Sequence, residues 1–203
     1  VLDGRKVADE SNSKLSLKAS SLEKQFGRKP CLAAILVGDD PASATYIAMK
    51  EKACESVGVK TKTFKESQDS TTEDILDLIE SLNQDNKIDG ILLHHPVPKG
   101  IDELSCFNKI AIEKDVDGVT TKGLGNIVMG IDSFGSCTPL GIMRLLEAYN
   151  IDCTGKLALI IGRSQILGKP MAAMLLNKNA TTITAHSRTC LLYTSDAADE
   201  VQC

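Results

Sequence analysis

The chain has 203 residues, a formal net charge of −4, no tryptophan and aromatic residues at only 3%. The acidic balance argues against a general nucleic-acid binder, and the scarcity of aromatic rings against a stacking surface for single strands. Seven cysteines (31, 54, 106, 137, 153, 190 and 203) show no close Cys-x-x-Cys or Cys/His pairing, which predicts reduced thiols in a cytoplasmic protein and no metal site. No apolar run is long enough for a membrane span, and no signal peptide precedes Val1, although a chain without an initial Met is expected to lack a few residues there.

Residues 4–26 form a long, weakly amphipathic segment, with Val7, Leu15, Leu22 and Phe26 as expected core contacts and Gly27 and Pro30 ending it. Cys31 to Val37 (CLAAILV) is a continuous apolar run, the signature of a strand buried on both faces. The next stretch, to Gly58, predicts a helix with Asp40 as N-cap, Pro41 in the first turn and Gly58 closing the end in a left-handed conformation. On it Ser43, Tyr46 and Lys50 share one face. Val59 to Phe64 alternates and reads as a strand nearer an edge. Ser70 and Glu73 suggest a capping box for a helix to about Asn83, with Ile75, Leu76, Ile79 and Leu82 inward. Ile88 to Leu93 reads as another buried strand, and 102–112 as a short helix. The stretch 119–136, rich in Gly, Thr, Ser and Asn, reads as a connection between domains. A helix at 139–150, a buried strand Leu157 to Ile161, a loop Gly162 to Gly168, a helix Pro170 to Leu176 and a strand Ala180 to Ala185 follow.

This alternation predicts an α/β fold with parallel sheets: an N-terminal parallel α/β domain, then a second, Rossmann-like strand–helix–strand unit. Ligands in such sheets sit at the carboxyl ends of the strands. That edge carries His94, His95 and the start of the Tyr46 helix. Of the two histidines only one can share a site with Lys50, since neighbours on a strand point to opposite faces; His95 is expected to be the exposed one. Asp115-Val116-Asp117-Gly118 can accept hydrogen bonds from an amino-heterocycle, or simply make a turn; a cation site would need more oxygen ligands. The glycine-flanked loop Gly162-Arg163-Ser164, opening a helix near Pro170, is suited to a phosphate at the helix N-terminus, though it is not GxGxxG. The next strand ends in His186-Ser187-Arg188, without the carboxylate an NAD site would carry, which favours NADP.

The stretches VLDGRKVA, LVGDDPASATYIAMKEKACESVG, SLNQDNKIDGILLHHPVP, EKDVDGVT, CTPLGIM, LIIGRSQILGKPMAAMLL and ATTITAHSRT occur in this order. Over about residues 1–189 they resemble the bifunctional methylenetetrahydrofolate dehydrogenase/methenyltetrahydrofolate cyclohydrolase family. The resemblance implies a folate-binding catalytic domain over 1–118, a connection over 119–136 and a partial NADP-binding domain over 137–189. It implies that Tyr46, with Ser43 beside it, stacks on the folate ring system, that Lys50 is the central acid/base group, and that Asp117 holds the pterin end. It further implies that Gly162, Arg163, Ser164, His186 and Ser187 bind NADP, Arg163 and Ser187 near the 2′-phosphate. Tetrahydrofolate derivatives and a homodimer are the implied partners. The family usually has glutamine where this chain has His94, so an altered cyclohydrolase step, or a dehydrogenase alone, is the expected variation. The stretch CLLYTSDAADEVQC at 190–203 does not resemble the family and reads as a foreign tail on a shortened frame. A polypeptide ending there is expected to be unstable and nearly inactive, a folate- or nucleotide-binding remnant.

Overall fold

Two parallel sheets organise the chain, and the polypeptide divides into two compact units between Gly123 and Leu124. The computed structural model describes residues 1–38 and 41–189, with the backbone alone for residues 41–44 and 46. The expected N-cap Asp40 and the stretch 190–203 therefore lie outside the described residues.

In the first unit, β1 (Cys31–Val37) lies between β2 (Lys60–Glu66) and β3 (Gly90–Leu93), all parallel, with Ile35 opposite Phe64 on one side and Leu93 on the other. The apolar run of β1 is what a central strand requires: every residue but Leu32 is buried. β2 is an edge strand, as its alternation predicts. Helix α3 (Thr72–Gln84) sends Ile75, Ile79 and Leu82 into this core, and α4 (Glu103–Lys109) adds Cys106 and Phe107. Each fully buried aliphatic side chain contributes about 1.5–3 kcal/mol. Burial pushes the Cys106 thiol up to about 11, which leaves it a packing group rather than a nucleophile. Helix α2 (Pro41–Ser56) ends as expected: Gly58 has φ 80°, and the Val59 N–H reaches back to the Cys54 carbonyl at 2.9 Å, the pattern of a left-handed helix stop.

Two expectations need correction here. The capping box of α3 is Thr71 with Asp74, not Ser70 with Glu73: the Thr71 N–H donates to Asp74 Oδ2 at 2.8 Å, and the Asp74 N–H to Thr71 Oγ1 at 3.2 Å. Helix α1 (Gly4–Phe26) forms, but only Ala19 is buried; Leu15 and Phe26 are exposed, and Val7 and Leu22 half-buried. The stretch 119–136 carries a helix, α5 (Thr121–Val128), despite its two glycines, and the division between the units falls within it.

The second unit holds α6 (Cys137–Ala148), β4 (Leu157–Ile161), α7 (Gly168–Asn177) and β5 (Thr181–Ala185). β4 and β5 pair in parallel, Leu157 with Thr181 through Ile161 with Ala185. Ile160, Met171, Leu175 and Ala180 form the core, with Met143, Leu146 and Ala158 against it. β4 is not buried on both faces as its sequence predicts: Leu157, Leu159 and Ile161 are 68%, 44% and 68% exposed. Among the described residues the core side chains of α6 and α7 gather on the Ala158/Ile160 face only.

Candidate active site

The catalytic candidates of the first unit leave its sheet at the carboxyl edge. β3 runs out into His94, whose N–H donates to the Ile35 carbonyl at 2.9 Å and whose side chain is half-buried. Ile91 of β3 bridges in parallel to Asp115, three residues before His94 on one chain and two before Asp117 on the other. The two aspartates then part company. Asp115 is 1% exposed and accepts the N–H groups of Val119 at 3.0 Å and Thr120 at 2.9 Å. Its carboxylate is spent on closing the turn, which answers the turn-or-site question for Asp115 with the turn. Asp117 lies half-buried within that turn. Gly90 makes the seat for it, because a Cβ there would stand 2.7 Å from Val116 Cγ1. Among the described residues no three His, Cys, Asp or Glu side chains gather as a metal site would require.

Lys50 occupies α2, half-buried, between two residues that tie the helix down. Ile47, one turn before, is buried, and the Thr63 hydroxyl on β2 hydrogen-bonds the Glu51 carboxylate. Ser43 and Tyr46 belong to the same helix, with side chains outside the described residues. His95 is exposed, as expected, but it is engaged: its Nδ1 lies 2.7 Å from Glu103 Oε1. The spacing of histidine and glutamate along the sequence gives no signal for that pair.

In the second unit the candidates are adjacent because β4 and β5 are. The Gly162 N–H donates to the Ala185 carbonyl at 2.7 Å, which sets Gly162-Arg163-Ser164 beside His186-Ser187 at the carboxyl edge. Gly162 has φ 133°, and a Cβ on Gly168 would lie 2.3 Å from the Gly162 carbonyl oxygen. Only glycine permits α7 to start this close to the strand.

The expected phosphate seat on bare helix N–H groups is corrected by the structure. Ser164 Oγ accepts from the Leu167 N–H at 3.1 Å and the Gly168 N–H at 3.3 Å, the Ser164 carbonyl accepts from Lys169 N–H at 3.0 Å, and Met171 N–H reaches the Leu167 carbonyl at 2.9 Å. Pro170 has no N–H, so the first turn of α7 is already satisfied. Ser164 is the cap, and its own hydroxyl proton is what it can still offer a ligand. Arg163 and Ser187 are exposed and add further donors. His186 shapes the following turn: its N–H donates to Thr189 Oγ1 at 2.9 Å, and its Nδ1 accepts the Arg188 N–H at 3.2 Å. In the neutral ring this leaves the proton on Nε2. With no carboxylate at the end of β5, the edge fits a nucleotide that carries an extra phosphate.

An α/β unit with acid/base candidates at its sheet edge, followed by a β–α–β unit with a phosphate-suited edge, defines a two-domain enzyme of the nucleotide-linked class. Comparisons with known proteins agree. Residues 2–117 match the family profile of the tetrahydrofolate dehydrogenase/cyclohydrolase catalytic domain, and residues 136–201 that of its NAD(P)-binding domain. The chain is 53% identical over 189 residues to the bifunctional protein FolD of Cellvibrio japonicus, covering 93% of this chain and 68% of that protein. It superposes on the FolD crystal structure from Campylobacter jejuni with a TM-score of 0.91 at 43% identity, over 93% of this chain and 67% of that one. The Trypanosoma brucei enzyme, solved with NADP cofactor and inhibitor, gives 0.90 at 30% identity, over 97% and 67%.

The chain belongs to the tetrahydrofolate dehydrogenase/cyclohydrolase family. Its chemistry is that of the family: oxidation of 5,10-methylenetetrahydrofolate to the methenyl form, and hydrolysis of that to 10-formyltetrahydrofolate, within one-carbon metabolism.

Proposed function

We propose that Lys50, His94 and Asp117, with Tyr46 and Ser43 on the Lys50 helix, form the folate site, and that Gly162, Arg163, Ser164, His186 and Ser187 hold NADP. What supports the folate-site reading is the Ile91–Asp115 bridge, which pairs the strand ending at His94 with the residue two before Asp117. NADP, when held there, would supply the acceptor for the hydride that leaves the one-carbon bridge. Arg163 and Ser187 pair with the 2′-phosphate, a guanidinium being the better geometric match to phosphate oxygens. Asp117 accepts hydrogen bonds from the pterin end, and Tyr46 stacks on the ring.

In the second step Lys50 takes a proton from the water that attacks the methenyl carbon. As the bond from that carbon to N5 breaks, Lys50 passes that proton to N5 and the formyl group stays on N10. The other water proton goes to solvent. Proton handling of this kind is worth about 10²–10⁴ in rate. Lys50→Met is therefore expected to lower methenyl hydrolysis by about 10²–10⁴ while leaving NADP affinity, measured by calorimetry, unchanged. Hydrolysis at the parent rate would end the assignment.

His94 supports a second reading, a dehydrogenase with a weakened hydrolytic step. An imidazole beside the amine brings its own titration. His94→Gln should change the pH profile of hydrolysis and not that of oxidation; accumulation of methenyl product by the parent would favour this reading. We place the enzyme in the cytoplasm as a homodimer, supplying formyl groups for purine synthesis, without nucleic-acid or membrane partners. Light scattering of the purified chain tests the dimer. Among the described residues no helix is long and apolar enough to cross a membrane.

A further inference from the structure

The loop that follows His94 is held by one carboxylate. Glu103 Oε1 lies 2.7 Å from His95 Nδ1 and accepts the Val97 N–H at 3.1 Å. The His95 ring also leans on Phe107, with centroids 6.5 Å apart. Glu103 and Phe107 are four residues apart, on one face of α4, and so grip His95 from the same side.

Helix α4 is itself anchored at both ends. Asp102 caps it through the Ser105 N–H at 3.1 Å, and the Asp102 N–H donates to Thr72 Oγ1 at 3.0 Å. At the far end the Asn83 amide donates to the Lys109 carbonyl at 2.8 Å, and its Oδ1 accepts the Ala111 N–H at 2.9 Å. Cys106 and Phe107 are buried in the core. A fixed helix, one carboxylate and two donors within the three residues after His94 together make a clamp.

We propose that Glu103 is a positioning residue: through His95 and Val97 it fixes the exit of β3 and with it the place of the His94 imidazole. Glu103 is an acceptor at both contacts, so His95 meets it through an Nδ1–H donor. This rests on the folate-site reading for its effect on turnover, but not for its effect on His94.

The test uses the full chain, which has three histidines and therefore a readable set of imidazole NMR signals. Glu103→Ala should shift the His94 ring resonances and lower methenyl hydrolysis about tenfold, with oxidation changed less than twofold. Glu103→Gln keeps an acceptor oxygen for both donors and should restore both readouts. Unmoved His94 resonances in Glu103→Ala overturn the proposal, whatever the rates do. So does an equal fall of both activities, which a general loss of structure would give. His94→Ala separates the two ideas: if it leaves hydrolysis intact, the catalytic reading of His94 fails, while the resonance shift still decides on Glu103.

Discussion

The two units share a grammar of parallel strand, turn and helix, but they are buried very differently. In the first, β1 and β3 lose nearly all contact with solvent, and thirteen of the described residues make one buried core. Among the described residues of the second, four buried residues do that work, and Leu157, Leu159 and Ile161 of β4 are exposed. The difference carries over to the candidate sites. Asp117 is presented by a turn whose backbone is satisfied by a buried carboxylate. Arg163 and Ser187 stand on exposed strand ends, ordered mainly by glycine geometry and a serine cap.

The largest effect expected from this contrast is in stability. Ile35→Ala removes a fully buried side chain at the centre of the first sheet and should cost about 2–5 kcal/mol. Ile160→Ala, in the thinner core of the second unit, should cost no more than the low end of that range, because its surroundings can collapse into the gap. Hydrogen exchange read by peptide mass spectrometry reports each unit separately. Equal costs would remove the contrast between the cores.

Burial is also where the sequence was least legible. CLAAILV and LALII are both continuous apolar runs, and both form parallel strands; the run announces two apolar faces but not what covers them. The same applies to α1, whose leucines show a helical period without naming a partner surface. The capping box was ambiguous for a different reason. Ser70 and Thr71 each precede an acidic residue by three, and only the backbone conformation of Thr71, φ −86° and ψ 166°, decides between them. Bonds across long separations left no local trace. Lys114 Nζ donates to the carbonyls of Leu82, Asn83 and Asp85 at 2.9, 2.8 and 2.9 Å, closing the end of α3 from about 30 residues away. By contrast, the glycine at the end of α2, the edge position of β2 and the adjacency of Gly162 with His186 follow from residue type and strand order, and these were readable.

A smaller effect is expected at the turn of the second unit. Gly168→Ala would place a Cβ 2.3 Å from the Gly162 carbonyl oxygen, so the turn carrying Gly162, Arg163 and Ser164 must move. Overpacking of this kind costs about 1–3 kcal/mol, which translates to a loss of NADP affinity of roughly tenfold if the displaced turn is what NADP meets. Lys50-dependent hydrolysis of added methenyl substrate should stay within twofold. Calorimetric titration with NADP and a hydrolysis assay without it separate the two readouts. Unchanged affinity would mean that the close approach of α7 to the strand does not shape the nucleotide site.

The smallest effect concerns how strands are entered. In the first unit a charged latch joins the chain before β1 to the chain before β3: Arg28 makes paired contacts of 2.6 and 2.7 Å with Asp89, and the Cys31 N–H adds 2.8 Å to the same carboxylate. In the second unit the described equivalents are backbone bonds, Gly155 N–H to Asn179 at 2.9 Å and Thr181 N–H to Lys156 at 2.8 Å. The Arg28 hydrogen bond holds the Asp89 carboxyl below its ordinary range, with burial opposing it and the Cys31 N–H assisting. A carboxyl whose folded value is depressed contributes stability that is present above its unfolded value, about 3.9, and is lost as pH falls through the folded value. Both side chains are near two-fifths exposed, so screening keeps the contribution small. The stability difference between the parent and Arg28→Ala, from urea melts at several pH values, should be positive near neutrality and close to zero in strong acid. A difference that stays constant with pH would mean that Arg28 acts through packing of its side-chain stem rather than through its charge.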